Sequence, residues 1–351
     1  MILHHLVYKT TLLLNTVKVF SLRRSRALVC LLLAAFIFSL GWMVWKGKIV
    51  LGQRLPRGSW TSQPQGRLGN LMGEYATLLA LSMLNGGRPI LMPKMGARLK
   101  SIFEVNAAVM TSMESYATPW QEFPLNDWMT EEYKHIRAPY VKLKGYPCSW
   151  TFYHHMSSFV RREFTFLPPL RDYATATLRK AMAGRQSATF IGVHVRRGDY
   201  VRVMPNVWRG VIGDPEYLRK AIDVFRSRYP DAVFMVASDD MAWCQRHLDV
   251  TRGDVIFVGD NNQAEPQMDL AVLSNCNHTI FTVGTFGFWA AYLAGGDAIY
   301  LSNFTLPDSP FRLVFQEDKA YLPHWMGIPA NLNAFPLQPP CEGHKWLFNL
   351  C

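Results

Sequence analysis

The residues with the clearest chemical capacity stand together in the segment His194–Asp199, which reads His-Val-Arg-Arg-Gly-Asp. An apolar run precedes this segment, so a predicted buried strand delivers a histidine, two arginines and a carboxylate to one loop. Guanidinium groups bind phosphate oxygens through paired hydrogen bonds. The segment therefore predicts a phosphate-binding site, and the competing interpretation is a solvated charge cluster after a strand.

A second segment with binding capacity is Gly284–Gly287, which follows a predicted strand and opens a predicted helix. The free N–H groups of such a helix start, with the Thr285 hydroxyl, can hold a phosphate oxygen. Together with Arg196 or Arg197 they would form a pyrophosphate clamp. A third glycine segment, Gly66–Asn70, precedes another predicted helix, and taken alone it is more typical of an ordinary turn.

The elements that position these segments alternate between strand and helix. The predicted strands are Thr189–Val195, Ala232–Ala237, Val255–Val258, His278–Val283 and Ala298–Leu301. Helical patterns lie between them, which predicts a parallel sheet wound on both sides, with ligands at the carboxyl ends of its strands. Earlier in the chain, apolar spacing predicts a helix over Leu71–Asn85, and residues 94–170 are aromatic-rich and predicted to be irregular.

Absent motifs narrow the chemistry. The chain has no Gly-x-x-x-x-Gly-Lys-Ser/Thr loop, so a kinase or sulfotransferase of that kind is unsupported. It also lacks the Asp-x-Asp spacing with which many sugar-nucleotide enzymes hold a divalent cation, and no cysteine–histidine spacing predicts a metal site. Cationic side chains would then neutralise a departing diphosphate in place of a metal. This pattern favours transfer of a sugar from a nucleoside diphosphate.

The net charge of +11 suggests nucleic-acid binding, but the distribution of that charge does not. Residues 1–48 hold seven of the 37 lysines and arginines and none of the 26 acidic residues, which leaves 30 basic and 26 acidic residues for the body. A mildly basic body suits a pocket for an anionic small molecule better than a groove for a phosphate backbone. Nucleic acid is therefore not an expected partner.

The N-terminal region contains an apolar segment, Ala27–Trp45, of 19 residues without a charge, about the length that crosses a bilayer core. Arginines precede it, and Trp42 and Trp45 stand near its far end, as in single-pass anchors. The predicted organisation is a cytoplasmic tail over 1–26, a transmembrane signal anchor over 27–45, a stem over 46–65, a lumenal body and a C-terminal tail over 331–351.

Modification sites and cysteines are compatible with a lumenal body. Asn277 and Asn303 each begin an Asn-x-Ser/Thr triplet, so both are candidate glycosylation sites. The cysteines outside the predicted anchor are Cys148, Cys244, Cys276, Cys341 and Cys351. The first four could pair in three ways, with the last left over, and the sequence does not choose among them.

Seven blocks of sequence resemble a known family. They are Gly66–Leu78, Trp150–His155, His194–Tyr200, Val203–Trp208, Met241–Cys244, Cys276–Leu293 and Thr305–Phe311. The block His194–Tyr200 is similar to the signature shared by α1,2-, α1,6- and protein O-fucosyltransferases, and the other blocks single out the α1,2 group. The sequence therefore resembles the galactoside α1,2-L-fucosyltransferases of the vertebrate H and secretor type.

This resemblance implies a GT-B-like fold of two Rossmann-type halves, with residues 66–183 on the acceptor side and residues 184–330 binding GDP-β-L-fucose. It implies inverting transfer of fucose to the 2-hydroxyl of terminal β-galactose on glycoprotein and glycolipid glycans, which forms the H-antigen linkage. It further implies a Golgi membrane location and no metal or other cofactor, since GDP-fucose is a substrate. The alternative function is a weakly active or inactive Golgi paralogue that binds glycans.

The resemblance also assigns roles to single residues. It gives the diphosphate to Arg196 and places His194 near the guanine. It makes Asp269 the acceptor of guanine N–H groups, because an unpaired desolvated carboxylate would reject other bases, and it places Asn70 near the fucose. The other predicted donor-binding residues are Arg197, Thr285, Phe286 and Gly287.

The group that takes the galactose proton is open at this stage. Asp199, Glu74 and His194 are available as a base, and a dissociative transition state would leave the diphosphate to accept the proton. We expect Asp199 to act with Arg196 as the catalytic pair. Its alternative role is to hold the two arginines in place.

Four positions depart from the family pattern. Leu71 stands where Gln is usual, Asp239 and Asp240 replace a typical Asn-Gly, and His324 stands where Glu is frequent. The first change removes an amide near the donor loop, and the second adds negative charge near a site for an anionic donor. Because none of them alters the arginine motif, we expect an enzyme that these departures could slow.

Overall fold

The computed structural model of the chain describes residues 24–45, 54–259 and 265–335. The first compact unit, Met1–Arg54, contains helix α1 (Arg24–Trp45), which covers the predicted anchor. Over the described residues, no helix combines the length and the apolarity that crossing a membrane requires. Most of the predicted cytoplasmic tail, residues 46–53 of the stem and residues 336–351 of the C-terminal tail lie outside the described residues.

The second unit begins at Leu55, and its described part contains two parallel sheets. The first sheet consists of β1 (Ser59–Ser62), β2 (Arg88–Leu91), β3 (Ala108–Val109), β4 (Gln121–Pro124) and β5 (Tyr140–Lys144), in the spatial order β3-β2-β1-β5-β4. The α-helices of this part are α2 (Leu68–Leu84), α3 (Pro93–Lys100), α4 (Ser112–Ala117), α5 (Ser157–Glu163) and α6 (Pro168–Met182). Three short 3₁₀ helices, Glu131–His135, Trp150–Phe152 and His154–Met156, complete it.

Two predictions for this part are wrong. The stem was predicted to extend to residue 65, yet Leu55 is buried and β1 is the buried central strand of the first sheet. Its four residues, Ser-Trp-Thr-Ser, have mixed polarity and carry no periodic signal, because a central parallel strand is covered on both faces. Residues 94–170 were predicted to be irregular, but they contain three strands and several helices whose lengths are too short for a readable period.

The second sheet carries the segment His194–Asp199, the arginine segment. Its strands are β6 (Thr189–Val195), β7 (Ala232–Ser238), β8 (Val255–Phe257), β9 (His278–Phe281), β10 (Ala298–Ser302) and β11 (Met326–Pro329), in the spatial order β11-β10-β9-β6-β7-β8. The α-helices are α7 (Tyr200–Asn206), α8 (Pro215–Arg228), α9 (Met241–His247), α10 (Pro266–Ser274), α11 (Thr285–Ala294) and α12 (Glu317–Ala320), and two 3₁₀ helices cover Pro310–Leu313 and Leu332–Ala334. The predicted α/β class with parallel strands is confirmed.

The order of the second sheet locates a crevice. The strands run outward from β6 through β7 to β8, and the chain then returns to the other side of β6 to form β9, β10 and β11. This is the doubly wound order, in which ligands bind at the carboxyl ends of the two strands that flank the reversal. Those strands are β6 and β9, which precede the arginine segment and the segment Gly284–Gly287 respectively.

Local sequence explains why these elements form where they do. The strand β6 has the predicted bounds and is buried over most of its length, as expected for a central parallel strand. Asp214 caps the start of helix α8, because its carboxylate accepts a hydrogen bond from the Tyr217 backbone N–H at 2.7 Å. Helix α11 is bounded by Gly284 and Gly295, with φ angles of +96° and +83° that suit glycine. The strand β11 was missed, because Met-Gly-Ile-Pro has no strand period.

Helix α11 packs against helix α2 and against the aromatic core of the first part. Its Trp289 is fully buried and stacks on Tyr153, with ring centroids 5.4 Å apart. Phe164 meets the same indole edge-on at 4.9 Å. Aromatic pairs of this kind contribute about 0.5–1.5 kcal/mol each beyond the burial of their area. These contacts pack α11 against the aromatic core of the first part.

Candidate functional site

The arginine segment leaves β6 and turns at Gly198, with φ +27°, into helix α7. The Arg196 guanidinium forms ion pairs with both Asp199 and Asp239, and it lies 4.9 Å from the centroid of the Tyr200 ring. The Arg196 backbone N–H donates to the Thr282 hydroxyl at 2.9 Å, which ties the end of β6 to the residue after β9. The side chain of Arg196 is 14% exposed, so it is not part of a solvated charge cluster.

Arg197 is held by different partners. Its Nε donates to an Asp240 carboxylate oxygen at 3.2 Å, and its guanidinium lies 3.9 Å from the centroid of the Trp243 ring. Its backbone N–H donates to the Asp239 carboxylate at 2.7 Å. Arg197 is also 14% exposed. The two arginines are thus partly buried, fixed in direction and surrounded by carboxylates.

His194 lies in β6, two positions before Arg196, and is 6% exposed. Burial, together with the neighbouring Arg196 charge, lowers the pKa of His194 to about 3, so the imidazole is neutral at pH 7. Its ring centroid lies 4.8 Å from that of Phe286. A side chain at Gly287 would lie 3.0 Å from the His194 Nδ1, so the glycine permits this close approach. His194, Phe286 and Gly287 therefore meet, as predicted for one site.

The two glycine segments meet backbone to backbone. A Cβ atom added at Gly69 would lie 2.6 Å from the Thr285 hydroxyl and 2.7 Å from the Phe286 nitrogen. The Thr285 hydroxyl donates to the Asn70 side-chain oxygen at 2.6 Å. This hydroxyl was predicted to hold a phosphate oxygen, and in the structure its hydrogen is directed at Asn70 instead. The helix starts of α2 and α11 thus face one site, and Gly66–Asn70 is more than an ordinary turn.

The two arginines and their carboxylate partners form the arginine cluster, which consists of Arg196, Arg197, Asp199, Asp239 and Asp240. Asp269 lies apart from this cluster, in the first turn of α10. Its carboxylate is beside Gly259, where an added Cβ would approach an Asp269 oxygen to 2.5 Å. Gly259 follows β8, which lies two strands from β6, or about 10 Å across the sheet. Asp269 and Arg196 therefore both lie near the carboxyl edge of the sheet, beside strands about 10 Å apart.

The three candidate bases differ sharply in environment. Glu74 is fully buried in α2, where both of its carboxyl oxygens accept the Gln65 N–H at 3.1 Å. Burial raises the pKa of Glu74 to about 9, so it is protonated at pH 7 and is a poor base there. His194 is also a poor base, because its pKa is depressed. The Asp199 side chain lies beside Arg196 and is 34% exposed, so Asp199 is the accessible one of the three candidate bases.

The structure adds residues that the sequence left out of the site. Arg67 approaches Asp199 to 3.7 Å and supplies a third guanidinium, and Trp243 forms the stacking surface for Arg197. Arg67 stands inside Gly66–Asn70, so its glycine neighbours were an available signal. Asp239 had been noted only as added charge, whereas it contacts both arginines. Within the described ranges, no group of three or more His, Cys, Asp or Glu side chains could hold a metal ion.

The remaining sequence features lie outside this cluster. Asn277 and Asn303 are exposed. Cys148, Cys244 and Cys276 form no disulfide with one another, while Cys341 and Cys351 lie outside the described residues. Leu71, where a family amide was expected near the donor loop, is 3% exposed and packs in the core.

Comparison with known proteins identifies the class to which this fold and site belong. The model of glycosyl transferase family 11 matches residues 22–329, and the chain belongs to that family. It is 53% identical to galactoside alpha-(1,2)-fucosyltransferase 1 of Homo sapiens over 279 residues, which are 79% of this chain and 76% of the relative. It is 52% identical to the Mus musculus protein of the same name over 291 residues, 82% and 77% of the two chains. The resemblance inferred from the sequence is confirmed.

Among solved structures, a NodZ alpha-1,6-fucosyltransferase soaked with GDP-fucose superposes with a TM-score of 0.48 at 15% identity, over 68% of this chain and 93% of that one. POFUT1 in complex with GDP-fucose gives a TM-score of 0.48 at 11% identity, over 71% and 98%. These are distant similarities.

Proposed function

We propose that this chain is a galactoside α1,2-fucosyltransferase. It transfers L-fucose from GDP-β-L-fucose to the 2-hydroxyl of a terminal β-galactose, with inversion, and forms the Fucα1,2Gal linkage of the H antigen. The observation that carries the proposal is the pair of partly buried guanidinium groups at the strand reversal, beside β9, the strand that leads into α11. The family membership and the names of the 52–53% identical relatives support the same reaction.

The donor would lie along the carboxyl edge of the second sheet. Arg196 would grip the diphosphate, with Arg197 and the N–H groups of Phe286 and Gly287 beside it. The neutral His194 and the Phe286 ring offer a flat, weakly polar surface near the guanine. At the far end of this edge, Asp269 would accept the guanine N–H groups, about 10 Å from β6. Asn70, which is bonded to Thr285, would lie near the fucose.

Two groups would carry the chemical step. As the bond between fucose and phosphate breaks, negative charge develops on the leaving diphosphate, and the preorganised Arg196 guanidinium stabilises it without a metal ion. Asp199 would take the proton from the galactose hydroxyl, since Glu74 and His194 are poorly suited at neutral pH. Asp199 would thus have two tasks, to orient Arg196 in the resting enzyme and to accept a proton during transfer.

The two sheets correspond to the two halves of a GT-B arrangement in this proposal. The first sheet and its helices would bind the galactoside acceptor, and the second would bind GDP-fucose. The boundary near residue 184 is retained, because β6 begins at Thr189. The start of the first half moves from residue 66 to about Leu55, where the second compact unit begins.

The reaction is tested directly with full-length protein in detergent, labelled GDP-fucose and phenyl-β-galactoside, with and without a chelator. We expect transfer under both conditions, with the product sensitive to an α1,2-specific fucosidase. An absence of transfer with chelator and without it would reject the enzyme and favour the glycan-binding alternative. Transfer that the chelator abolishes would retain the enzyme but reject the metal-free mechanism.

The same proposal includes a single-pass Golgi anchor with a lumenal body. The support is the uncharged segment Ala27–Trp45, which lies in α1, and the exposed apolar side chains of that helix. Those side chains are Leu31, Leu32, Leu33, Ile37, Phe38 and Trp42. In intact Golgi vesicles we expect the body to resist added protease. We also expect the protein to lose mass when it is treated with a glycosidase, and this loss should disappear when Asn277 and Asn303 are both changed to Gln. Digestion from the outside without detergent would contradict this topology.

A further inference from the structure

Asp239 occupies a special place in the arginine cluster. One carboxylate oxygen accepts the Arg197 backbone N–H at 2.7 Å, and the other pairs with the Arg196 guanidinium. The side chain is 13% exposed, so this pair is largely shielded from water. It also touches the tightest point of the loop, since a Cβ atom at Gly198 would lie 2.4 Å from the second oxygen. The carboxylate is therefore locked in position by the loop that it contacts.

The charges of the cluster are unfavourable for an anionic ligand. Two guanidinium groups, those of Arg196 and Arg197, face three carboxylates, those of Asp199, Asp239 and Asp240. The third guanidinium, that of Arg67, is 71% exposed and reaches only Asp199. A diphosphate that approaches Arg196 therefore meets a cation whose charge is already compensated. In a shielded site, such competition is stronger than in water.

We propose that the Asp239 carboxylate is an internal competitor of the donor diphosphate and sets the affinity of this chain for its donor. The inference rests on the proposed function, because it requires a nucleoside diphosphate at Arg196. Binding of the donor exchanges the Asp239–Arg196 ion pair for a phosphate–Arg196 pair. Asp239 thus lowers donor affinity while it fixes the loop through the Arg197 N–H.

The other two carboxylates are less suited to this role. Asp199 is 34% exposed and can turn toward water when the phosphate arrives. Asp240 pairs with Arg197, and its second oxygen accepts the Trp243 N–H at 3.1 Å as the cap of α9. Asp239 alone among the three combines burial, contact with Arg196 and a backbone bond that prevents it from moving away.

The test is the exchange Asp239→Asn in the full-length protein, with GDP binding followed by calorimetry. The amide oxygen of Asn can still accept the Arg197 N–H, whereas the negative charge is removed. We expect GDP to bind roughly tenfold more tightly, with a matching fall in the KM for GDP-fucose. The control is Asp223→Asn, which removes an equal charge from an exposed ion pair on α8 and is expected to leave GDP affinity unchanged.

The outcomes separate this inference from the proposed function. If the unmodified chain binds GDP and Asp239→Asn binds it no more tightly, the inference is wrong and the proposed function stands. If neither protein binds GDP, both are wrong. If Asp239→Asn does not fold, Asp239→Ser provides a smaller neutral acceptor, and weaker GDP binding by the folded Ser variant would show that Asp239 only supports the loop.

Discussion

Replacing Arg196 with Lys is expected to lower kcat/KM for fucose transfer about 100- to 1,000-fold, the usual cost of removing one preorganised donor from a developing oxyanion. GDP affinity should fall as well, since the same guanidinium contacts the diphosphate before and during transfer. The reason is geometric. Lys keeps the positive charge but presents a single ammonium group, whereas the Arg196 guanidinium presents several N–H groups in one plane and already contacts Asp199 and Asp239 together.

The matched control is Arg202→Lys. Arg202 is exposed on helix α7, only six positions further along the chain, and the exchange is chemically identical. Its transfer rate and GDP affinity should remain those of the unmodified enzyme. Thermal unfolding of both variants separates a lost contact from a lost fold. Near-normal GDP binding by a folded Arg196→Lys protein would contradict the diphosphate clamp.

Replacing Glu74 with Gln is expected to stabilise the protein by about 3 kcal/mol at pH 7 without abolishing transfer. The Glu74 carboxyl is neutral in the folded state, because burial raises its pKa from 4.5 to about 9. In the unfolded chain at pH 7 it is ionised, so folding must take up a proton, at about 1.4 kcal/mol for each pH unit above 4.5. Gln has nearly the same shape and carries no such proton. A collapse of transfer in this variant would instead identify Glu74 as a catalytic group.

The sign of the pH dependence follows from the same proton. Between pH 4.5 and 9 the folded state holds one more proton at Glu74 than the unfolded state, so stability falls as pH rises. Asp127, with a pKa raised by burial to about 7, acts in the same direction but only up to that pH. His194 acts in the opposite direction and only below its ordinary value of 6.5. From pH 7 to 8.5, Glu74 therefore contributes most of the three to the pH dependence of stability. Over this range the free energy of unfolding of the unmodified protein should fall by about 2 kcal/mol, and that of Glu74→Gln should not show this fall.

Urea unfolding at pH 7.0 and 8.5 measures this difference in the free energy of unfolding. Glu163→Gln is the contrasting variant, because it is expected to destabilise the protein. Glu163 is also buried, but it accepts hydrogen bonds from the Tyr75 hydroxyl at 2.5 Å and from Asn106 at 2.8 and 3.1 Å. An amide NH₂ group facing these donors would leave them unpaired, so Glu163→Gln should destabilise the protein by about 1–3 kcal/mol. Equal pH slopes for Glu74→Gln and the unmodified protein would mean that Glu74 is ionised in the fold.

The sequence predicts the second sheet better than the first, for reasons that particular strands illustrate. The strand β6 is a continuous apolar run, and α8 carries both its capping aspartate and a proline at its first position. These signals lie within or next to the element that they predict, so the sequence alone indicates the element. By contrast β1, β4 and β11 are four residues each and contain Ser, Gln, Glu, Gly or Pro. Their identity as strands comes from the partners they pair with, which no local pattern contains.

The site shows the same division. The positions of Arg196 and the Gly284–Gly287 helix start follow from strand ends in a parallel sheet, and the structure brings them to one edge. The partners of Arg196 do not follow in this way. Asp239 is 43 positions away on the neighbouring strand end, and its choice of Arg196 and the Arg197 N–H depends on loop geometry that one turn at Gly198 determines. The sequence therefore indicates which groups are present but not how their charges are matched.

The hydrogen bond between Asn70 and Thr285 joins residues 215 positions apart in the chain. Contacts over such a separation carry a large loop-closure entropy and form slowly compared with local helices and turns. Each sheet can gain most of its own parallel pairing before this contact closes, whereas the site needs both glycine segments in place. In the proposed function, donor binding therefore requires both parts of the second unit to be assembled. We expect a chain that stops folding before this contact closes to have secondary structure but no donor site.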